Sequence, residues 1–165
     1  DADGPYVGKG FFYREVSGHD PAGQAYIESW YGREKMGIAP SVETQFNKIK
    51  KYCDDNGIEL IAVTSPITPS AMKKLGLQDA HKSLQEVFDK NNVKYYDFNL
   101  TRGEVLSREN KDYGDMEGHM GGRLGQEYSE VLAQLLNDAE NGTLELNKYF
   151  YSSYEDMYEQ CEWTR

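Results

Sequence analysis

Residues 58–64 read Ile58-Glu59-Leu60-Ile61-Ala62-Val63-Thr64 and residues 93–98 read Val93-Lys94-Tyr95-Tyr96-Asp97-Phe98, with an amphipathic stretch at 79–91 between them. These residues decide the fold. The first run is almost wholly apolar, as a strand buried on both faces of a parallel sheet should be, and Ser65-Pro66 stops it. In 79–91, Ala80, Leu84, Val87 and Phe88 fall on one helical face. A strand, a helix and a second strand joined by short links imply a right-handed crossover and a parallel pair.

Upstream, Pro40-Ser41 starts a helix over 41–56. Val42, Phe46, Ile49 and Cys53 recur on one face until Asn56-Gly57 supplies a C-cap. Residues 1–40 are the least periodic. Glycines flank the aromatic run at 11–13, which suits an edge strand or an extended arm, and 24–36 is weakly helical, with Tyr26, Ile27, Trp30 and Tyr31 on its apolar side. Downstream, 99–112 mixes both signs of charge and reads as a loop or a solvated helix. Leu124, Tyr128, Val131, Leu132 and Leu135 then mark a final covering helix to about residue 137. After Asn141-Gly142 comes an aromatic, acidic tail with a short helix through Met157 and Cys161. The expected organisation is an arm (1–40), an α/β core (41–140) and a tail (141–165).

Composition narrows the function classes. A chain of 165 residues with 38% apolar content can build one core. Its net charge of −10 argues against a nucleic-acid partner, which needs clustered Lys and Arg. No apolar run approaches the ~20 residues of a membrane span, so no membrane insertion by this segment is expected. The first residue is Asp1 rather than Met, which reads as a processed or trimmed product. Cys53 and Cys161 lack zinc-ligand spacing, and a disulfide between them stays open; neither metal nor cofactor is expected. Asn99-Leu-Thr101 and Asn141-Gly-Thr143 match the glycosylation sequon, a pattern common by chance. Thirteen tyrosines suit a wet surface or a sugar-contacting groove.

Ligands of open parallel sheets bind beyond the carboxyl ends of the strands. Three segments should converge there: Thr64-Ser65-Pro66, Asp97-Phe98-Asn99, and the stretch from Asp112 to Gly125 that holds Asp115, Glu117 and His119. His119, just before a helix, would feel the positive end of its dipole, which favours the neutral, proton-accepting imidazole. Asp115 or Glu117 can orient it. Ser65, at a strand end and followed by proline, is the plausible stand-in for a nucleophilic serine, and Asn99 closes the second strand. Ser17-Gly18-His19-Asp20-Pro21 reads as a turn, because neighbours in a turn cannot align a hydroxyl, an imidazole and a carboxylate.

The helix at 41–56, the strand and loop at 58–66, the strand at 95–99 and Asp115-x-x-x-His119-Met-Gly-x-x-x-Gly125 together resemble the carboxyl-terminal half of an SGNH/GDSL-type hydrolase. The likeness covers roughly 40–137 and is nearest to cell-surface SGNH-like and DltD-like proteins of Gram-positive bacteria. It implies a three-layer α/β/α flavodoxin-like parallel sheet. It also implies an extracellular or cell-surface acyl esterase or acyltransferase acting on cell-wall glycan or acylated polysaccharide, with His119 as base and Asp115 as acid. The family's acid stands three residues before the histidine; here that position is Met116 and Asp115 lies one residue further back. No Gly-Asp-Ser or Gly-x-Ser block precedes the first clear strand, so the resemblance puts the serine upstream of these residues. Two strands also leave room for a partner chain or a missing amino-terminal half. The alternatives are a catalytically inactive SGNH-like carbohydrate-binding or interaction module, and an unrelated α/β domain, disfavoured for nucleotides by the lack of a glycine-rich phosphate loop.

Overall fold

The computed structural model describes residues 6–8, 11–16, 38–115 and 118–161. The turn expected at 17–21, the weak helix at 24–36 and Glu117 lie outside the described residues. The protein is mixed α/β. A short antiparallel ribbon, β1 (Tyr6–Gly8) with β2 (Phe11–Phe12), precedes helix α1 (Pro40–Asp55), strand β3 (Ile61–Thr64), helices α2 (Pro69–Leu75) and α3 (Gln78–Lys90), and strand β4 (Lys94–Asp97). Helices α4 (Gly122–Glu140), α5 (Leu146–Tyr149) and α6 (Tyr154–Gln160) follow.

The crossover read from 58–98 is present. β3 and β4 pair in parallel from Ile61 opposite Lys94 to Thr64 opposite Asp97. Alternation along β4 then separates two packing faces. The Tyr95 ring lies 4.9 Å from Phe88 of α3, whereas Tyr96 stacks on Phe150 at 6.4 Å on the other side. Phe46 of α1 meets Phe88 edge-on at 5.3 Å, which sets α1 beside α3. Phe98 packs edge-on against Tyr128 of α4 and against Phe150.

Several expectations are corrected. β3 covers only 61–64, because β4 begins opposite Ile61, and it is not buried on both faces: Val63 is 41% exposed. The α1 stripe buries only Cys53; Val42, Ile49 and Tyr52 are each more than half exposed. Both facts have one cause, since among the described residues no strand pairs with the other edge of β3. The 99–112 segment is a loop with short 3-10 turns, and Glu104, Ser107, Glu109 and Lys111 in it are exposed, but it is not wholly solvated. Asn99, Leu100, Thr101, Leu106 and Arg108 are buried in it. Nor is the end of the chain peripheral: Tyr149, Phe150, Tyr151, Tyr154, Met157 and Cys161 belong to the main core, joined to it by the Thr101–Phe150 bridge. Cys53 and Cys161 are both buried and are not joined in a disulfide.

Candidate functional site

The Asp115–His119 loop is closed by local hydrogen bonds. Tyr113 and Met120 form an antiparallel bridge, and the Gly114 amide donates to the His119 carbonyl at 2.8 Å. That closure brings the carboxylate back to the imidazole despite the extra residue in the spacing. His119 Nδ1 lies 2.6 Å from Asp115 Oδ2, and the His119 amide donates to Asp115 Oδ1 at 3.3 Å. Since a carboxylate only accepts, Nδ1 must carry the proton, and in the neutral ring Nε2 is the acceptor. The imidazole is 74% exposed and Asp115 25%.

Two contacts fix this loop at the carboxyl end of the strand pair, and a third joins the two segments that leave the strands. Tyr113, fully buried, donates from its hydroxyl to the Pro66 carbonyl at 3.3 Å. The Ile67 amide donates to Asn99 Oδ1 at 3.0 Å. Gly118, with φ at +96°, presses on Ile67: a Cβ there would sit 3.0 Å from Ile67 Cγ2 and 3.2 Å from its Cα. A side chain at 118 would therefore meet both a steric and a conformational obstacle. The three segments expected to converge do so. Ser65 is exposed and makes no hydrogen bond with His119.

Glycines also shape the start of α4. A Cβ on Gly122 would lie 2.7 Å from the Tyr13 ring, and one on Gly121 2.4 Å from Val16 Cγ2. The pair lets residues 13–16 lie directly on the helix start, where the Gly122 amide donates to the Arg14 carbonyl at 2.6 Å. Arg123 bonds Asp112 and Glu127, each at 2.6 Å, and these bonds hold its guanidinium above the ordinary value.

Comparison with protein-family models, with curated proteins and with solved structures gave no match for this chain. The site therefore has to be read from its own geometry.

A second His–Asp pair, invisible to pattern reading, is more rigidly built. Asp97 ends β4 with its side chain 3% exposed, and its Oδ2 lies 2.9 Å from His81 Nδ1 of α3. Tyr154 of α6 donates its hydroxyl to the same oxygen at 2.9 Å. Oδ1 accepts from the Asn99 amide and the Asn99 Nδ2, both at 3.0 Å. Asn99 thus links Asp97 to the Ile67 amide and is a positioning residue; at 3% exposure its side chain is closed to the sequon role. Arg108 Nη2 donates to the Asn99 carbonyl at 2.7 Å and also approaches Met72 Sδ. Burial pulls the Arg108 guanidinium below its ordinary value, partly offset by Tyr113, Tyr154 and Asp97. Burial, reinforced by Asp97, pushes Tyr95 and Tyr154 well above the usual phenol range.

Chain separations of 16 and 57 residues hide these contacts from any local motif. His81 shares a helix with the Leu84–Phe88 stripe and reads as a surface residue. Among the described residues no cluster of three or more His, Cys, Asp or Glu is arranged to hold a metal. No helix among them is long and apolar enough to cross a membrane.

Proposed function

We propose that this chain is the carboxyl-terminal part of an SGNH-like acyl esterase or acyltransferase with an α/β/α flavodoxin-like sheet. It acts at the outer surface of a Gram-positive bacterium on esters of cell-wall glycan or acylated polysaccharide. The observation that carries the reading is the Asp115–His119 pair, held at the carboxyl end of a parallel strand pair with Nε2 turned to solvent. Nε2 takes the proton of a serine hydroxyl as that oxygen attacks the ester carbonyl carbon. The proton passes to the leaving alcohol, and water or an acceptor hydroxyl repeats the sequence to release the acyl group. Asp115 holds the tautomer and stabilises the imidazolium.

The serine comes from upstream of these residues, and among the described residues no strand pairs with the far edge of β3. Val63 of β3 and Ile49 and Tyr52 of α1 are exposed apolar side chains.

The test is hydrolysis of p-nitrophenyl acetate by the full-length product. His119→Ala should lower kcat by about 10³-fold or more, the scale of losing a general base from a triad. Equal rates for the two proteins would refute the assignment. A second reading, a catalytically silent domain that binds carbohydrate, is favoured by an aromatic cleft along β4, lined by Tyr95, Tyr96 and Phe150.

A further inference from the structure

We propose that the cleft between α3, β4 and α5 binds a neutral sugar ring, with His81 Nε2 accepting a hydrogen bond from one of its hydroxyls. The inference deepens the carbohydrate-binding reading and is independent of the esterase chemistry at His119. It starts from the surplus at Asp97. A carboxylate offers about four lone-pair sites. Tyr154, the Asn99 amide and Asn99 Nδ2 already fill three of them. The buried charge is therefore well supported without His81, and the dyad is better explained as Asp97 orienting the imidazole than the reverse. With Nδ1 donating to Asp97, Nε2 of the neutral ring is an acceptor. It has no hydrogen-bond partner among the described residues. The ring is fixed between Tyr95 and Tyr154, each with its centroid 5.6 Å away, and remains 27% exposed.

His81 lines a cleft of about 360 Å³, a volume typical of small-ligand sites. Its walls are largely aromatic, from Tyr95, Tyr96 and Phe150, and two amide residues, Gln85 and Asn147, also line it, with Gln85 Nε2 donating to Asp89 Oδ1 at 2.7 Å. Aromatic walls suit the C–H faces of a pyranose, whereas amides and an imidazole acceptor suit its equatorial hydroxyls. The chain carries a net charge of −10 and a carboxylate stands behind the histidine, so an anionic ligand is disfavoured.

The experiment is an NMR titration of the His81 side-chain nitrogens, with calorimetry, using the methyl glycosides of glucose, galactose and N-acetylglucosamine as probes. At least one should shift the Nε2 resonance saturably. His81→Ala and Asn147→Ala should each weaken that binding about five- to tenfold, the effect of losing one hydrogen bond. Asn147 is exposed, so its variant keeps the fold under test if His81→Ala does not. His119→Ala should bind as the parent does. The absence of any saturable shift at His81 overturns the proposal. Binding of undiminished strength in both cleft variants overturns the cleft assignment while leaving the carbohydrate reading intact.

Discussion

Replacing Asp97 by alanine removes the acceptor for four donors at once, and the structure fixes what is left behind. The Tyr154 hydroxyl and Asn99 Nδ2 belong to residues 2% and 3% exposed, where water cannot substitute. Each buried donor left unsatisfied costs about 1–3 kcal/mol, whereas His81, 27% exposed, can turn to solvent at smaller cost. Arg108 is a further loss, because Asp97 is one of the groups that offset its burial. Together these give a destabilisation of about 3–5 kcal/mol, the range seen when a buried charge network is broken. Tyr154→Phe takes away one donor and leaves three on the carboxylate, so about 1–2 kcal/mol is expected. The double variant should be less destabilised than the sum of the two by about 1–2 kcal/mol, since the orphaned hydroxyl is counted in the first variant and absent from the double. Urea unfolding followed by far-UV circular dichroism reads these as midpoint shifts at constant slope. A loss below about 1 kcal/mol for Asp97→Ala, or strict additivity in the cycle, would refute the view of Asp97 as the hub joining β4, α3 and α6.

The remaining predictions concern pH and the arm. Burial, helped by Asp138 for Tyr149 and by Cys161 for Tyr151, pushes both phenols up to about 12, and burial raises Tyr95, Tyr113 and Tyr154 as well. Above the ordinary phenol value near 10 the unfolded chain loses protons that the folded chain keeps, so stability falls as pH rises from about 10 to 12. Phenolate absorbance should show these tyrosines ionising together with unfolding; full ionisation of all thirteen near pH 10 in the folded protein would contradict the burial. Gly122→Ala drives a methyl group into the Tyr13 ring and should cost about 1–3 kcal/mol as overpacking. Hydrogen exchange at 13–16 should then rise selectively, and unchanged protection there would show that the two glycines do not serve the arm.

The parts legible in the sequence are those whose cause is local. The 3.6-residue period placed α1, α3 and α4 within a few residues of their observed ends, because an amphipathic helix carries its own evidence. Asp115 and His119 were legible for the same reason: four residues apart in one loop, they had only to be closed by the Tyr113–Met120 bridge. Arg108 was misread because a charge in a polar run is usually solvated, and only the Asn99 carbonyl and Met72 around it show otherwise. The carboxyl-terminal aromatics read as a tail, although an acidic, tyrosine-rich segment can still face a core, as Tyr149, Phe150 and Tyr151 do together and Tyr154 and Met157 do from one face of α6.

The same distinction bears on the two His–Asp pairs. The one found by spacing is exposed and held by its own loop; the one found only in three dimensions is buried, held by α3, β4 and α6, and tied through Asn99 to the loop after β3. Preorganisation of an imidazole comes from the number of independent elements that fix its carboxylate, and by that measure Asp97 is the stronger orienter. His119 has the accessibility that a base needs for a hydroxyl supplied from elsewhere. His81 has the fixed geometry that a binding site needs. The two pairs therefore differ in what they offer, an accessible imidazole in one and a firmly oriented one in the other, and the proposal for His81 does not depend on the one for His119.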